Sequence, residues 1–183
     1  IPEPIPLFGP MDEQLEVLLD ERVPVISFHF GVDAHTVARA HEAGAKVICS
    51  ATTVSEAILL EAVGIDAIIA QGAEAGGHRG TFQGDYQQAM VGTLALVPRV
   101  VDAVSVPVIA AGGIMDARGI VACLALGASA VQLGTAFLGC PEATVTSAWR
   151  DALDEAEAET TLVTQVLSGK PARSLRTRYI DEL

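Results

Sequence analysis

Ile65-Asp66-Ala67-Ile68-Ile69-Ala70 runs directly into Gln71-Gly72-Ala73-Glu74-Ala75-Gly76-Gly77-His78-Arg79-Gly80. The first six residues form an apolar run of the kind that fills a buried strand of a parallel sheet. The ten that follow carry four glycines beside a carboxamide, a carboxylate, an imidazole and a guanidinium. Glycine costs backbone entropy, so it is used where the chain needs positive φ or where a ligand must approach bare backbone. A polar, glycine-rich loop at the C-terminal end of a buried strand is where α/β proteins place binding and catalysis.

Outward from that stretch the same rhythm repeats. Val25 to Phe28 reads as a strand ending at His29-Phe30-Gly31, and Lys46 to Ser50 as the next. Helices are expected over Met11–Arg22, with Leu15, Leu18 and Leu19 on its apolar face, and over Ala34–Ala43, closed by Gly44. A third is expected over Glu56–Val63, with Ser55 as its cap and Gly64 as its stop. After the loop, a polar stretch from Thr81 to Gln88 leads to a helix over Thr93–Val104. The strand Val106–Ala111 then runs into Gly112-Gly113-Ile114, a helix follows over Ala117–Leu126, and the strand Ala130–Leu133 runs into Gly134-Thr135-Ala136. Alternating βα units imply a parallel sheet with right-handed crossovers. Five such strands fit an open doubly wound sheet or the later part of a (β/α)8 barrel, which needs eight strands and about 250 residues.

The ends of the chain read differently. Ile1 to Pro10 carries four prolines and is expected to be extended. From Pro141 the composition turns acidic, and Glu142 to Glu159 is expected to be a helix carrying Trp149. Thr160 to Leu167 is expected to be β-rich, and a basic stretch, Lys170 to Arg178, follows. Residues 1–141 are thus expected to form the sheet domain and 142–183 a helical extension.

Half of the 183 residues are hydrophobic, 4% are aromatic, and the net charge is −12. Such a chain repels nucleic acid. Cys49, Cys123 and Cys140 lie in apolar surroundings without metal-ligand spacing, so reduced core thiols and no metal are expected. Ile120 to Cys140 lacks charge over a length that would cross a bilayer. Gly127-Ala128-Ser129, Gln132 and Thr135 break it, and a buried helix, turn and strand are expected instead. No secretory signal pattern is present at Ile1, and a cytoplasmic location is expected.

Four groups of residues are candidates for chemistry. Two glycine turns after consecutive strands, Gly112-Gly113 and Gly134-Thr135, present bare backbone N–H groups suited to phosphate. An imidazole suits a base or a hydrogen-bond donor, which makes His78 a candidate; its plain alternative is a hydrogen-bonded loop imidazole. Gln71 can donate and accept at once, which suits a heteroaromatic edge. Arg79 reads as a solvated or loop-bracing cation, and Glu74 as an acceptor for loop N–H groups. His29, Ser50 and Thr52 end strands and are candidates for the same mouth, whereas His35 and His41 read as surface residues. Neither G-x-S-x-G nor a strand-borne G-x-G-x-x-G is present.

These elements together resemble the nitronate monooxygenases, formerly called 2-nitropropane dioxygenases. The resemblance is carried by Val23 to Gly31, Ser50-Ala51-Thr52-Thr53, Gln71 to Gly80, Ala110 to Ile114, Gln132 to Ala136 and Ser168-Gly169-Lys170-Pro171-Ala172-Arg173. It implies a TIM (β/α)8 barrel holding non-covalent FMN, of which this chain supplies strands four to eight. The first three strands would come from another part of the polypeptide or a second chain, and a homo-oligomer is a candidate assembly. It implies oxidation of alkyl nitronates, and in some members nitroalkanes, by O2 to a carbonyl compound and nitrite. His78 matches the family's active-site histidine. Gln71, Gly76, Gly77 and Gln132 match flavin-contacting positions, and Gly112, Gly113, Gly134 and Thr135 the FMN phosphate site. Two alternatives stay open: a flavin-dependent enoyl-thioester reductase of the same superfamily, and a non-catalytic fragment binding FMN or another phosphate ligand.

Overall fold

The computed structural model describes residues 11–183, so the proline-rich lead-in lies outside the described residues. Strand Ala67–Gln71 (β3) is buried on four of its five residues and forms the middle of the sheet. Lys46–Ala51 (β2) pairs with it in parallel on one side and Val108–Ala111 (β5) on the other. Val25–Phe28 (β1) and Ala130–Gln132 (β6) complete a five-stranded parallel sheet in the order β1-β2-β3-β5-β6. Ile68, Val47, Ala70 and Ala110 are fully enclosed between sheet and helices. Burying a large aliphatic side chain of this kind contributes about 2 kcal/mol.

The strand order follows the chain because each crossover is one short helix. These helices are Ala34–Glu42 (α2), Val54–Ala62 (α3), Thr93–Val101 (α4) and Ala117–Ala125 (α5), after an N-terminal helix, Met11–Asp20 (α1), that buries Leu15. Asp33 caps α2 by accepting from the Thr36 N–H at 2.9 Å. The cap of α3 is Thr53 and not Ser55. Thr53 accepts from the Glu56 N–H while Glu56 reaches back to the Thr53 N–H, a capping box that satisfies two end donors reciprocally. Gly64 closes α3 at φ +91°, where a Cβ would be strained.

The expected acidic helix from Glu142 to Glu159 is much shorter. Thr146 caps a helix at Ser147–Asp154 (α6), and the following chain turns into strand Thr161–Thr164 (β7). That strand pairs antiparallel with Ala172–Leu175 (β8), which pairs in turn with the two-residue strand Gly77–His78 (β4). The expected helical extension is therefore mixed, with one ladder of its own and one made with the glycine-rich loop. A short helix, Arg178–Asp181 (α7), follows it. The apolar run Ile120 to Cys140 divides into α5, β6 and a 3-10 turn at Thr135–Gly139. Among the described residues no helix is long and apolar enough to cross a membrane.

Candidate active site

Gln71, the last residue of β3, holds the loop that follows. Its Oε1 accepts from the Gly80 N–H at 2.8 Å and its Nε2 donates to the His78 carbonyl at 3.0 Å. His29, just beyond β1, donates to the same carbonyl from Nε2 at 2.9 Å. A carbonyl only accepts, so Nε2 carries a proton, and Nδ1 lies within hydrogen-bond distance of Ser50 Oγ at 3.0 Å. Gly80 packs against this group: a Cβ there would stand 2.8 Å from the His29 carbonyl and 3.0 Å from Ser50 Cβ. Three adjacent strand ends thus converge on the His78 backbone.

Arg79 is buried, not solvated. Its Nη1 donates to the Gly72 carbonyl at 2.6 Å, and its Nη2 to those of Gln71 and Ala89 at 3.2 and 3.3 Å, which braces the loop from behind. Burial and the neighbouring Arg173 charge lower its pKa, while Glu56 and Glu74 oppose the shift. Glu74 also differs from expectation. Its carboxylate accepts from the N–H and hydroxyl of Thr93, at 2.8 and 2.9 Å, and so holds the N-terminus of α4 instead of the loop's own N–H groups. This suits an anionic side chain, since helix N-termini are electropositive.

His78 itself is exposed. Its Nε2 lies 2.7 Å from Ser168 Oγ, and its backbone is aligned by the ladder with Ala172. The sequence offers no local signal for this contact, although Ser168 lies within a segment that carries the family resemblance. Glu56 was also missed as a site element, although its capping-box spacing from Thr53 is legible. It is fully buried and accepts from Thr52 N and Oγ1, Thr53 N, Phe82 N and Gln83 N. It thereby ties the end of β2 to the segment beyond Gly80.

All nine candidate site residues line one cavity of about 790 Å³: Gln71, Gly76, Gly77, His78, Gly112, Gly113, Gln132, Gly134 and Thr135. His29 and Ser50 line it as well, and Thr52 instead bonds Glu56 and Thr81. Gly112 adopts φ +116°, and a Cβ there would lie 3.0 Å from Ala75 N and Thr93 Oγ1. Gly76 sits so close to Thr135 that a Cβ would fall 2.9 Å from its Oγ1, whereas Gly134 faces open space. The N–H groups of Gly113 and Gly134 find no acceptor among the described residues. Trp149, Leu153 and Leu167 supply an apolar wall from the C-terminal segment. His35 is exposed, and His41 bonds Asp66 at 2.8 Å. Burial pushes the Cys49 thiol up to about 11, which makes it inert as a nucleophile. Among the described residues no group of three or more acidic, histidine or cysteine side chains is arranged to hold a metal.

A five-stranded parallel sheet with crossover helices, whose strand-end loops and glycine turns meet at one cavity, defines an α/β protein. The chain belongs to the nitronate monooxygenase family, whose model matches residues 5–183. A nitronate monooxygenase from Pseudomonas aeruginosa is 52% identical over 165 residues, covering 90% of this chain and 47% of the relative. A crystal structure of a nitroalkane oxidase from Streptomyces ansochromogenes superposes with TM-score 0.89 at 47% identity, covering 93% of this chain and 50% of that one. FabK from Thermotoga maritima gives TM-score 0.85 at 40% identity, with 96% and 54% covered. The chain spans about half the length of the curated relatives it matches.

Proposed function

We propose that this chain forms strands four to eight of a (β/α)8 barrel in an FMN-dependent nitronate monooxygenase. The complete protein would oxidise alkyl nitronates with O2 to a carbonyl compound and nitrite. In this reading β1, β2, β3, β5 and β6 are an arc of the barrel. The remaining strands, from the rest of the polypeptide or a second chain, would join the outer edges of β1 and β6. The strictly sequential parallel order and the superposition on half of each larger structure support the arc.

The observation that carries the functional reading is the meeting of His78 with both glycine turns in one cavity. The family is flavin-dependent, and the residues present suit FMN. Gly113 and Gly134 offer unpaired backbone donors to a phosphate, and Gly134 leaves room above the backbone for it. Gln71, Gly76, Gly77 and Gln132 would hold the remainder of the cofactor, with Gly112 and Thr135 completing the phosphate cradle. Bound FMN would supply the redox chemistry between nitronate and O2.

The chain's own residues supply orientation and a proton site. Nε2 of His78 is engaged by Ser168, so Nδ1 is the nitrogen left for substrate. With Ser168 donating to Nε2, Nδ1–H would donate to a nitronate oxygen. With Ser168 accepting, Nδ1 would be the base that takes the α-proton of a neutral nitroalkane. His29 and Gln71 hold the His78 backbone still through either state.

The test is the absorbance spectrum of the full-length protein before and after anaerobic addition of a nitronate, followed by nitrite release in air. A flavin spectrum bleached by nitronate is expected, with His78→Asn retaining the spectrum and losing most turnover. A colourless protein that FMN does not reconstitute would overturn the reading. NAD(P)H consumption driven by an enoyl thioester, in place of nitrite release, would favour the reductase alternative.

A further inference from the structure

We propose that Lys170, seated over the Phe30 ring that stands beside His78, is a charge-steering residue that draws anionic substrate to the site. The inference rests on the nitronate reading, because a nitronate carries the negative charge on which such steering acts.

The chain carries a net charge of −12, so an approaching anion meets an unfavourable field over most of the surface. Many of its basic side chains cannot offset that field, because Arg39, Lys46, Arg118, Arg176 and Arg178 are each paired with a carboxylate. Among the described residues Arg22, Arg79, Arg99, Arg150, Lys170 and Arg173 meet no carboxylate, and three of these six, Arg79, Lys170 and Arg173, belong to the β4–β8 ladder or its immediate flanks. Arg79 is buried on backbone carbonyls. Arg173 lines the cavity, with Nε on the Ala73 carbonyl and Nη1 on Thr161 Oγ1. Half of the unpaired cations therefore stand on the ladder that carries His78, in an otherwise acidic molecule.

Lys170 differs from the two arginines in being exposed. Its Nζ stands 3.9 Å from the Phe30 ring centroid, and that ring lies 6.2 Å from the His78 ring. The two distances place the ammonium within about 10 Å of the imidazole, close to the screening length at moderate ionic strength. A ring face positions a cation without cancelling its charge, which a carboxylate partner would do. Of the carboxylates lining the cavity, Glu74 is occupied by Thr93, and Glu157 is exposed to solvent on the C-terminal segment.

The experiment uses the full-length FMN-loaded enzyme and a simple alkyl nitronate, with kcat and KM measured from low ionic strength up to about 0.5 M salt. Lys170→Met is expected to lower kcat/KM about two- to tenfold at low salt, the range set by one unit charge at this separation. It should hold kcat within about twofold and converge on the wild type as salt rises. Lys170→Arg should keep the wild-type slope, and Lys170→Glu should invert it, so that kcat/KM rises with salt. Wild-type salt slopes in both the Met and Glu variants would overturn the proposal. So would equal losses in the two variants at every ionic strength, the pattern of a lysine that only braces Phe30. A wild-type enzyme that turns over no nitronate would instead refute the nitronate reading, before any variant is compared.

Discussion

His29 Nε2 donates a 2.9 Å hydrogen bond to the backbone carbonyl of His78, across 49 positions of sequence. One histidine thereby fixes the peptide from which the other projects. Ser50 Oγ stands within hydrogen-bond distance of the first ring's opposite nitrogen. This pair gives the loop a preferred geometry before any substrate arrives, and preorganisation is where much of a catalytic advantage resides.

Replacing His29 with Leu removes the donor and leaves the His78 carbonyl to Gln71 alone. In the full-length enzyme, kcat for nitrite release should fall roughly tenfold, while flavin content measured by absorbance is retained. His29→Gln keeps an N–H at comparable reach and should recover most of the loss. Wild-type kcat in the Leu variant would remove His29 from the positioning role.

Gly112 and Gly134 should separate folding from cofactor binding. Gly112→Ala places a methyl at φ +116° against Ala75 and Thr93, a strain of about 1–3 kcal/mol, and should lower the melting temperature along with FMN affinity. Gly134→Ala meets nothing within 4 Å. It should melt like the wild type yet bind FMN at least about tenfold more weakly, as read by flavin fluorescence titration, since each tenfold is only about 1.4 kcal/mol. Unaltered affinity in the Gly134 variant would move the phosphate elsewhere.

Asp66 makes acid stability a local question. Burial raises its pKa, but hydrogen bonds from Lys46, the Val47 N–H and His41 outweigh it and bring the carboxyl from 3.8 to about 2. A folded pKa below the unfolded one means stability that is complete above about pH 5 and lost as pH falls through about 2. The Lys46 partner is largely exposed, so the contribution is on the order of 1 kcal/mol after screening. Asp66→Asn should be less stable than wild type at neutral pH by about that amount, and the gap in urea midpoints should close between about pH 4 and pH 2.

Glu56 accepts five donors on one buried carboxylate. Glu56→Gln turns one acceptor into a competing donor and should cost about 3 kcal/mol in urea unfolding. The Phe82 and Gln83 amides should exchange hydrogen faster than those of β3. If exchange rises equally in β3, the carboxylate stabilises the domain at large and not the segment beyond Gly80.

The parallel sheet was legible because β2, β3 and β5 are apolar runs punctuated by glycine at regular spacing, and buried strands advertise themselves that way. The nine candidate residues were legible for a related reason: each lies at the C-terminal end of a parallel strand or in the loop that follows one, where βα topology gathers side chains on one rim. His29 was visible only as one strand-end histidine, since the partner it chose is a backbone carbonyl. Bracing was one of the two readings of Arg79, but Glu74 was assigned to the loop's own N–H groups, because local sequence says nothing of which carbonyls or helix ends stand behind a loop. The C-terminal segment was the least legible. Its acidic run has helical composition, but Thr146 starts the helix late and antiparallel pairing with β4 and β8 takes over after it. Such pairing is decided by distant partners, not by local propensity.

The contacts of His78 with Ser168 and of Ala73 with Arg173 span 90 and 100 positions of chain. Closing loops of that size delays a contact until most of the molecule is in place. The parallel sheet, built from short crossovers, can therefore be complete, with Gln71 and His29 on the loop, while the contacts from Ser168 and Arg173 are still unmade. Maturation of the site becomes an event separate from folding of its scaffold. The same order run backwards predicts that the Ser168 and Arg173 contacts open first in mild denaturant, which amide exchange at β8 compared with β3 would read.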